Sequence, residues 1–137
     1  ECIEQFTPSF TVTAPYTVRA GNLVHLRTDF HFTLPHASSL GGLINALHPT
    51  PAVCGMPKAD TFRFISNNES QPRHYYSGFA GVMNANGPTH LFVSLRCMRI
   101  KGRHFWLHAG GGLLPDSKEE DEWNETEAKM ETMRGVF

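Results

Sequence analysis

The sequence predicts an α/β (α+β) fold in which an antiparallel sheet meander is flanked by helices. Three observations carry that expectation. Residues 78–109 alternate apolar-rich segments with tight turns at Asn84-Ala85-Asn86-Gly87 and Lys101-Gly102. Helical spacing of apolar residues occurs near residue 40 and again over the last twenty residues. At 137 residues and 40% apolar content, the chain fits one domain of ordinary size able to bury a core.

The elements run in order along the chain. Residues 1–20, rich in Thr, Pro and Val, read as extended structure with turns at Pro8 and Pro15. Residues 22–28 alternate apolar and polar side chains, as a strand does, and Pro35 separates them from the next element. Ser38 or Ser39 caps a short helix carrying Leu40, Leu43, Ile44 and Leu47. It stops near His48, because Pro49 and Pro51 disfavour helical geometry in the residues before them. A tight loop over 49–55 comes next. A second helix spans about 57–68, with Pro57 in its first turn and Phe62 and Ile65 facing the core. Strands at 78–83, 90–100 and 104–109 make the three-stranded meander, which ends at Gly110-Gly111-Gly112. The last twenty residues form a helix capped by Asp116 or Ser117, with acidic residues where the helix dipole favours them. No internal repeat, low-complexity tract or interdomain linker is visible.

Composition narrows the function. With 12 basic and 13 acidic residues the net charge is −1, which offers no global attraction to phosphate, so no nucleic-acid partner is expected. No apolar run approaches a membrane span, and no basic-then-apolar signal opens the chain. Three cysteines without C-x-x-C spacing fit three thiols in a reducing cytoplasm, neither a disulfide framework nor a zinc site. The eight histidines are scattered, with no H-x-x-x-H pair on a helix, which disfavours a transition-metal site. The chain opens Glu1-Cys2-Ile3 without Met, as a processed protein or a piece of a longer one would.

Several residues carry chemistry. On the terminal helix Trp123, Thr126, Met130, Met133 and Phe137 form the expected core stripe. Glu122, Glu125 and Lys129 form a second stripe about 100° away. That stripe is either a solvated face with an i,i+4 pair or two carboxylates placed for a hard cation. On the strand over 90–100, Leu91, Val93, Leu95 and Cys97 make one apolar face, and Arg96 lies on the other between Ser94 and Met98. Arg96 is either an exposed arginine or a bidentate clamp on a carboxylate. The glycines at 110–112 are either a flexible turn or a nest of N–H groups for an anion. His25 is a structural histidine or a substrate contact, and Tyr75-Tyr76 either pack or face a flat substrate. No serine lies in G-x-S-x-G, and no cysteine has an activating context, so a nucleophilic triad is not supported.

Five motifs stand together in one order. They are Leu47-His48-Pro49-Thr50-Pro51-Ala52-Val53-Cys54-Gly55; Arg73 with Tyr76-Ser77-Gly78; Leu95-Arg96; Ala109-Gly110-Gly111-Gly112; and Glu122-Trp123-Asn124-Glu125-Thr126 with Lys129. Over residues 22–137 this resembles the C-terminal part of the chorismate-utilising enzymes, which include isochorismate, salicylate, anthranilate and aminodeoxychorismate synthases. With Ala52 where other members carry threonine, the loop is most similar to isochorismate synthases.

The resemblance implies a part of a larger antiparallel α/β fold, and a chorismate substrate. It implies Mg2+ as cofactor, with Glu125 a direct ligand and Glu122 binding the ion directly or through one of its ligands. Arg96 and the Gly110 backbone would hold the enolpyruvyl carboxylate, and Lys129 would sit near the metal and substrate carboxylates. Ala52, Tyr76 and Leu95 would line the pocket, and His25 would lie beside the ring. The implied reaction is attack of water at C2 with loss of the C4 hydroxyl, feeding menaquinone or siderophore biosynthesis in the cytoplasm. A salicylate or anthranilate synthase component, or a non-catalytic chorismate-binding module, is the alternative. Gly111 replaces an alanine common in the family. The family's general base, a lysine, and general acid, a glutamate, have no match in these residues. The chain therefore reads as a C-terminal fragment with no catalytic residue of its own, inactive alone, and self-associating through exposed sheet edges.

Overall fold

A computed structural model describes residues 2–20, 23–84 and 86–136. Mixed helices and antiparallel strand pairs make it α+β, as expected. The chain divides into two compact units, residues 1–47 and 48–137.

In the first unit a 3-10 turn (Ile3–Gln5) leads into β1 (Phe10–Val12), β2 (Tyr16–Ala20), β3 (Leu23–Arg27), β4 (Phe30–Phe32) and helix α1 (Ser39–Leu47). The strands nest: β2 pairs β3, and β1 pairs β4 outside them, both antiparallel. The strand expected from residue 22 is β3; Asn22 itself lies outside the described residues. Asp29 ties the nested pairs, accepting hydrogen bonds from Tyr16 Oη and Arg27 Nε, each at 2.6 Å. These bonds hold its carboxyl below the usual carboxylate range. Helix α1 occupies the expected span and buries Leu43.

The second unit contains α2 (Pro51–Cys54), α3 (Lys58–Asn68), β5 (Phe79–Val82), β6 (His90–Val93), β7 (Cys97–Lys101), β8 (His104–His108) and α4 (Glu119–Arg134). The loop expected over 49–55 contains a helical turn, α2. Pro51 starts it, where a missing N–H costs no hydrogen bond. Helix α3 comes next, with Pro57 flanking its first residue. Phe62, expected in the core, is exposed, while Ile65 is half-buried.

The meander differs from expectation in one respect. The order of segments is as expected, but the long middle strand is two strands, β6 and β7, separated by a bend at Leu95-Arg96. Its first half pairs β5 and its second half pairs β8. The β5–β6 pairing runs on through Ser77 N–H to Ser94 O and Ser94 N–H to Gly78 O, each 2.8 Å, and ends there because Ser77 turns to φ +67°. Within that pair the chains approach closely at Gly81, where a Cβ would stand 1.9 Å from the His90 carbonyl oxygen.

Helix α4 also departs from expectation. It begins at Glu119, after Lys118, and not at Asp116 or Ser117. The Ser117 hydroxyl accepts from the Leu114 N–H at 3.0 Å and donates to Glu122 Oε1 at 2.5 Å. The expected core stripe is only partly covered: Thr126, Met130 and Met133 are half-buried, Trp123 is exposed, and Phe137 lies outside the described residues. Among the described apolar residues only Leu43 and Cys54 are buried, so the chain does not enclose the core that its length and composition suggested. The physical reason is that each sheet has two strands, and so few strands cannot cover both faces of their neighbours. Among the described residues no helix is long and apolar enough to cross a membrane.

Candidate functional site

In the second unit, α2, the bend between β6 and β7, the turn after β8 and α4 enclose a cavity of about 280 Å3. Ala52 and Val53 line it from α2, Tyr76 and the glycine turn face it, and Leu95, Arg96, Lys129, Glu69 and Arg73 complete it. The bend is what makes this possible. On a straight strand Leu95 and Arg96 would point to opposite faces. With the strand broken at these two residues, both line the same cavity.

Tyr76 is held on more than one side. The Arg73 guanidinium carbon lies 5.5 Å from its ring centroid, and the His108 ring stacks on it at 6.1 Å and 23°. Burial raises its phenol above the ordinary value. Its hydroxyl packs against the glycine turn so closely that a Cβ on Gly110 would stand 2.5 Å from Tyr76 Oη. Lys129 joins α4 to the same turn: its Nζ donates to the Gly110 carbonyl at 3.2 Å and pairs with Glu125 Oε1 at 2.5 Å. The Glu125 carboxyl is held below its usual range by that bond. Glu122 Oε2 lies 3.1 Å from where a Gly111 Cβ would stand, so this carboxylate also abuts the turn. Arg96 is exposed and has no acidic partner among the described residues.

The structure thus brings together Ala52, Tyr76, Leu95, Arg96, Gly110 and Lys129 around one cavity, with Glu122 and Glu125 beside it on α4. His25 belongs to the first unit, where it lies exposed on β3 opposite Val18. Reasoning from the sequence passed over Glu69, which also lines the cavity, and gave Arg73 no role beyond its motif. No helical spacing announces the pair, because α3 ends at Asn68, Glu69 is already extended and Arg73 lies in the loop beyond it.

The donor set near α4 can be tested against a hard cation. Among the described residues no group of three His, Cys, Asp or Glu side chains is placed to hold a metal ion. Two carboxylates, Glu122 and Glu125, do stand one turn apart. That set fits magnesium, which is commonly held by one or two carboxylates with its remaining positions filled by water and substrate oxygens.

Comparison with known proteins adds the decisive observation. The whole chain, residues 1–137, matches the family described as chorismate binding enzyme. The chain belongs to that family. The chain is 32% identical over 126 residues to the vibriobactin-specific isochorismate synthase of Vibrio cholerae, covering 90% of this chain and 32% of that protein. It is 41% identical over 91 residues to isochorismate synthase DhbC of Bacillus subtilis, covering 66% and 23%. It is 33% identical over 131 residues to isochorismate synthase MenF of Escherichia coli, covering 96% and 30%. The chain spans about a third of the length of the curated relatives it matches.

Proposed function

We propose that the cavity beside α4 holds chorismate, and that the chain is the substrate-binding part of a magnesium-dependent isochorismate synthase. The observation that carries this is the convergence of Arg96, the Gly110 turn and Lys129 on one cavity, with two carboxylates adjacent. Chorismate is a dianion and needs two separate charge partners. Arg96, free of any described carboxylate, offers a planar fork to one substrate carboxylate. The small residues of the glycine turn let backbone approach that group closely. Glu122 and Glu125 would hold magnesium against the other carboxylate, and Lys129, paired with Glu125, favours its ionised form. Magnesium, when bound, supplies charge neutralisation and orientation for the substrate carboxylate.

The reaction proposed for the whole enzyme is addition of water at C2, with shift of the ring double bonds and loss of the C4 hydroxyl. Two of the titratable groups on this cavity are committed elsewhere. Lys129 is bound to Glu125 and to the Gly110 carbonyl, and Glu69 to Arg73. Neither is free to move the protons that the reaction requires, and the Tyr76 phenol, raised by burial, stays protonated and cannot serve as a base, so the chain alone binds without turnover. Calorimetry with chorismate, with and without magnesium, tests this reading. We expect binding that magnesium strengthens and Arg96→Gln abolishes. Absence of binding in both conditions overturns the site, and isochorismate formation by the purified chain overturns its dependence on further residues.

We also propose that copies of the chain associate through sheet edges, in a reducing compartment such as the cytoplasm. Val82, Phe92, Ile100 and Phe105 are exposed on two-stranded sheets, and Cys2, Cys54 and Cys97 are free thiols. Light scattering that finds a monodisperse monomer at high concentration removes the association.

A further inference from the structure

We infer that Arg73 is the positioning residue of the cavity, fixing the α2 backbone at Val53 and the Tyr76 ring in their places as two of its walls. The inference rests on the reading of the cavity as a substrate site.

Each nitrogen of the guanidinium is committed. Arg73 Nε and Nη2 donate to Glu69 Oε2 and Oε1 at 2.7 and 2.6 Å, a bidentate fork. Nη1 donates to the Val53 carbonyl at 2.7 Å, across twenty residues of sequence. The same group lies over the Tyr76 ring. Glu69, Arg73, Val53 and Tyr76 all line the cavity. The arrangement reads as a single chain of contacts: Glu69 at the end of α3 orients the guanidinium, which holds α2 on one side and Tyr76 on the other. Tyr76 then carries the constraint to Gly110, against which its hydroxyl packs.

The two arginines on the cavity therefore differ in kind. Arg96 has no described acidic partner and is available to an anion. Arg73 has its charge neutralised by Glu69 and acts through the residues it touches. Its contact with α2 matters because α2 is a single turn. A helix so short leaves its carbonyls without partners further along, and the Val53 carbonyl takes its bond from Arg73. Beyond that bond, Ala52 and Val53 are held at the cavity by the turn's own N–H bonds, Val53 and Cys54 to Thr50 and Gly55 to Pro51, and by the Cys54 thiol against the Lys58 carbonyl and Thr61 Oγ1. Lysine cannot substitute. An ammonium is a point charge on a flexible stem, and it cannot present a planar fork to Glu69 while bonding Val53 and covering a ring.

The test compares Arg73→Lys and Glu69→Gln with the parent chain by three readouts: chorismate affinity in the presence of magnesium, melting temperature, and hydrogen exchange at the Cys54 and Gly55 amides. Arg73→Lys is expected to lose about ten-fold or more in affinity, the loss of one charge-assisted contact. Exchange at Cys54 and Gly55 should speed up, with protection in α3 and α4 retained. Glu69→Gln leaves the contacts to Val53 and Tyr76 in reach and should lose less on both readouts. A merely structural role predicts that affinity and exchange change across the whole unit in step with melting temperature. That pattern, or parental exchange at Cys54 and Gly55 in Arg73→Lys, overturns the inference. If the parent chain itself fails to bind chorismate, the proposed function fails, and the exchange readout still decides whether Arg73 fixes α2.

Discussion

Replacing Gly110 by alanine puts the packing of the site to a quantitative test. The added Cβ would stand 2.5 Å from Tyr76 Oη and 3.6 Å from Tyr76 Cζ. The second distance is an ordinary contact, so the clash is with the hydroxyl oxygen alone. Restoring van der Waals separation requires a retreat of about 1 Å. Tyr76 cannot swing away freely, because Arg73 covers its ring and His108 stacks on it. The strain therefore falls on the ring's supports or on the glycine turn, at about 1–3 kcal/mol. For a unit of this size that corresponds to a fall in melting temperature of roughly 4 to 24 °C, at about 4–8 °C per kcal/mol. Chorismate affinity should fall by about ten-fold or more, since one wall of the cavity moves. Tyr76→Phe removes the clashing atom, so the double variant should recover most of what Gly110→Ala loses. Calorimetry and thermal melting of the four proteins give the coupling energy. A Gly110→Ala variant that melts and binds like the parent, or a double variant that shows no recovery, would falsify this account of the turn.

The same contacts set other expected outcomes. Glu69 is held below the ordinary carboxylate range by Arg73, so its contribution is present at neutral pH and lost as pH falls below about 4.5 and through the depressed folded value; melting in acid should show that loss in the parent and not in Glu69→Gln. His108 is held below its ordinary value first by burial, then by His74 and Arg99. Its folded ring stays neutral while the unfolded ring takes up a proton, so stability falls as pH drops through about 6.5. His108→Phe should flatten that slope in melting curves recorded between neutral and mildly acid pH. Ser117→Ala removes the bonds to the Leu114 N–H and to Glu122, and should destabilise the second unit by about 1–2 kcal/mol in denaturant unfolding. Glu122→Gln and Glu125→Gln should each weaken magnesium binding about ten-fold or more in calorimetry, and parental affinity in both would remove α4 from the metal site.

Much of the site was legible in the sequence because it rests on local geometry. Glu122, Glu125 and Lys129 recur at helical steps, and the helix does form, so their convergence and the Glu125–Lys129 pair result from spacing. The span of α1 was legible for the same reason, through its apolar repeat and the prolines beyond it. Less legible was the start of α4: Ser117 looks like a cap but spends its hydroxyl on Leu114 and Glu122, and neither bond leaves a trace in periodicity.

The sequence by itself determined where α1, α3 and the terminal helix lie and the order of the strand segments, since helix and strand periods are set by neighbours a few residues away. Only the tertiary structure decided which of their side chains share a cavity. The bend that turns Leu95 to the side of Arg96, and the reach of Arg73 across twenty residues to Val53, depend on where the chain returns in space. The covering of Trp123 and Phe62 depends on a further packing layer, and a repeat of apolar positions records that a face is apolar without recording what lies against it.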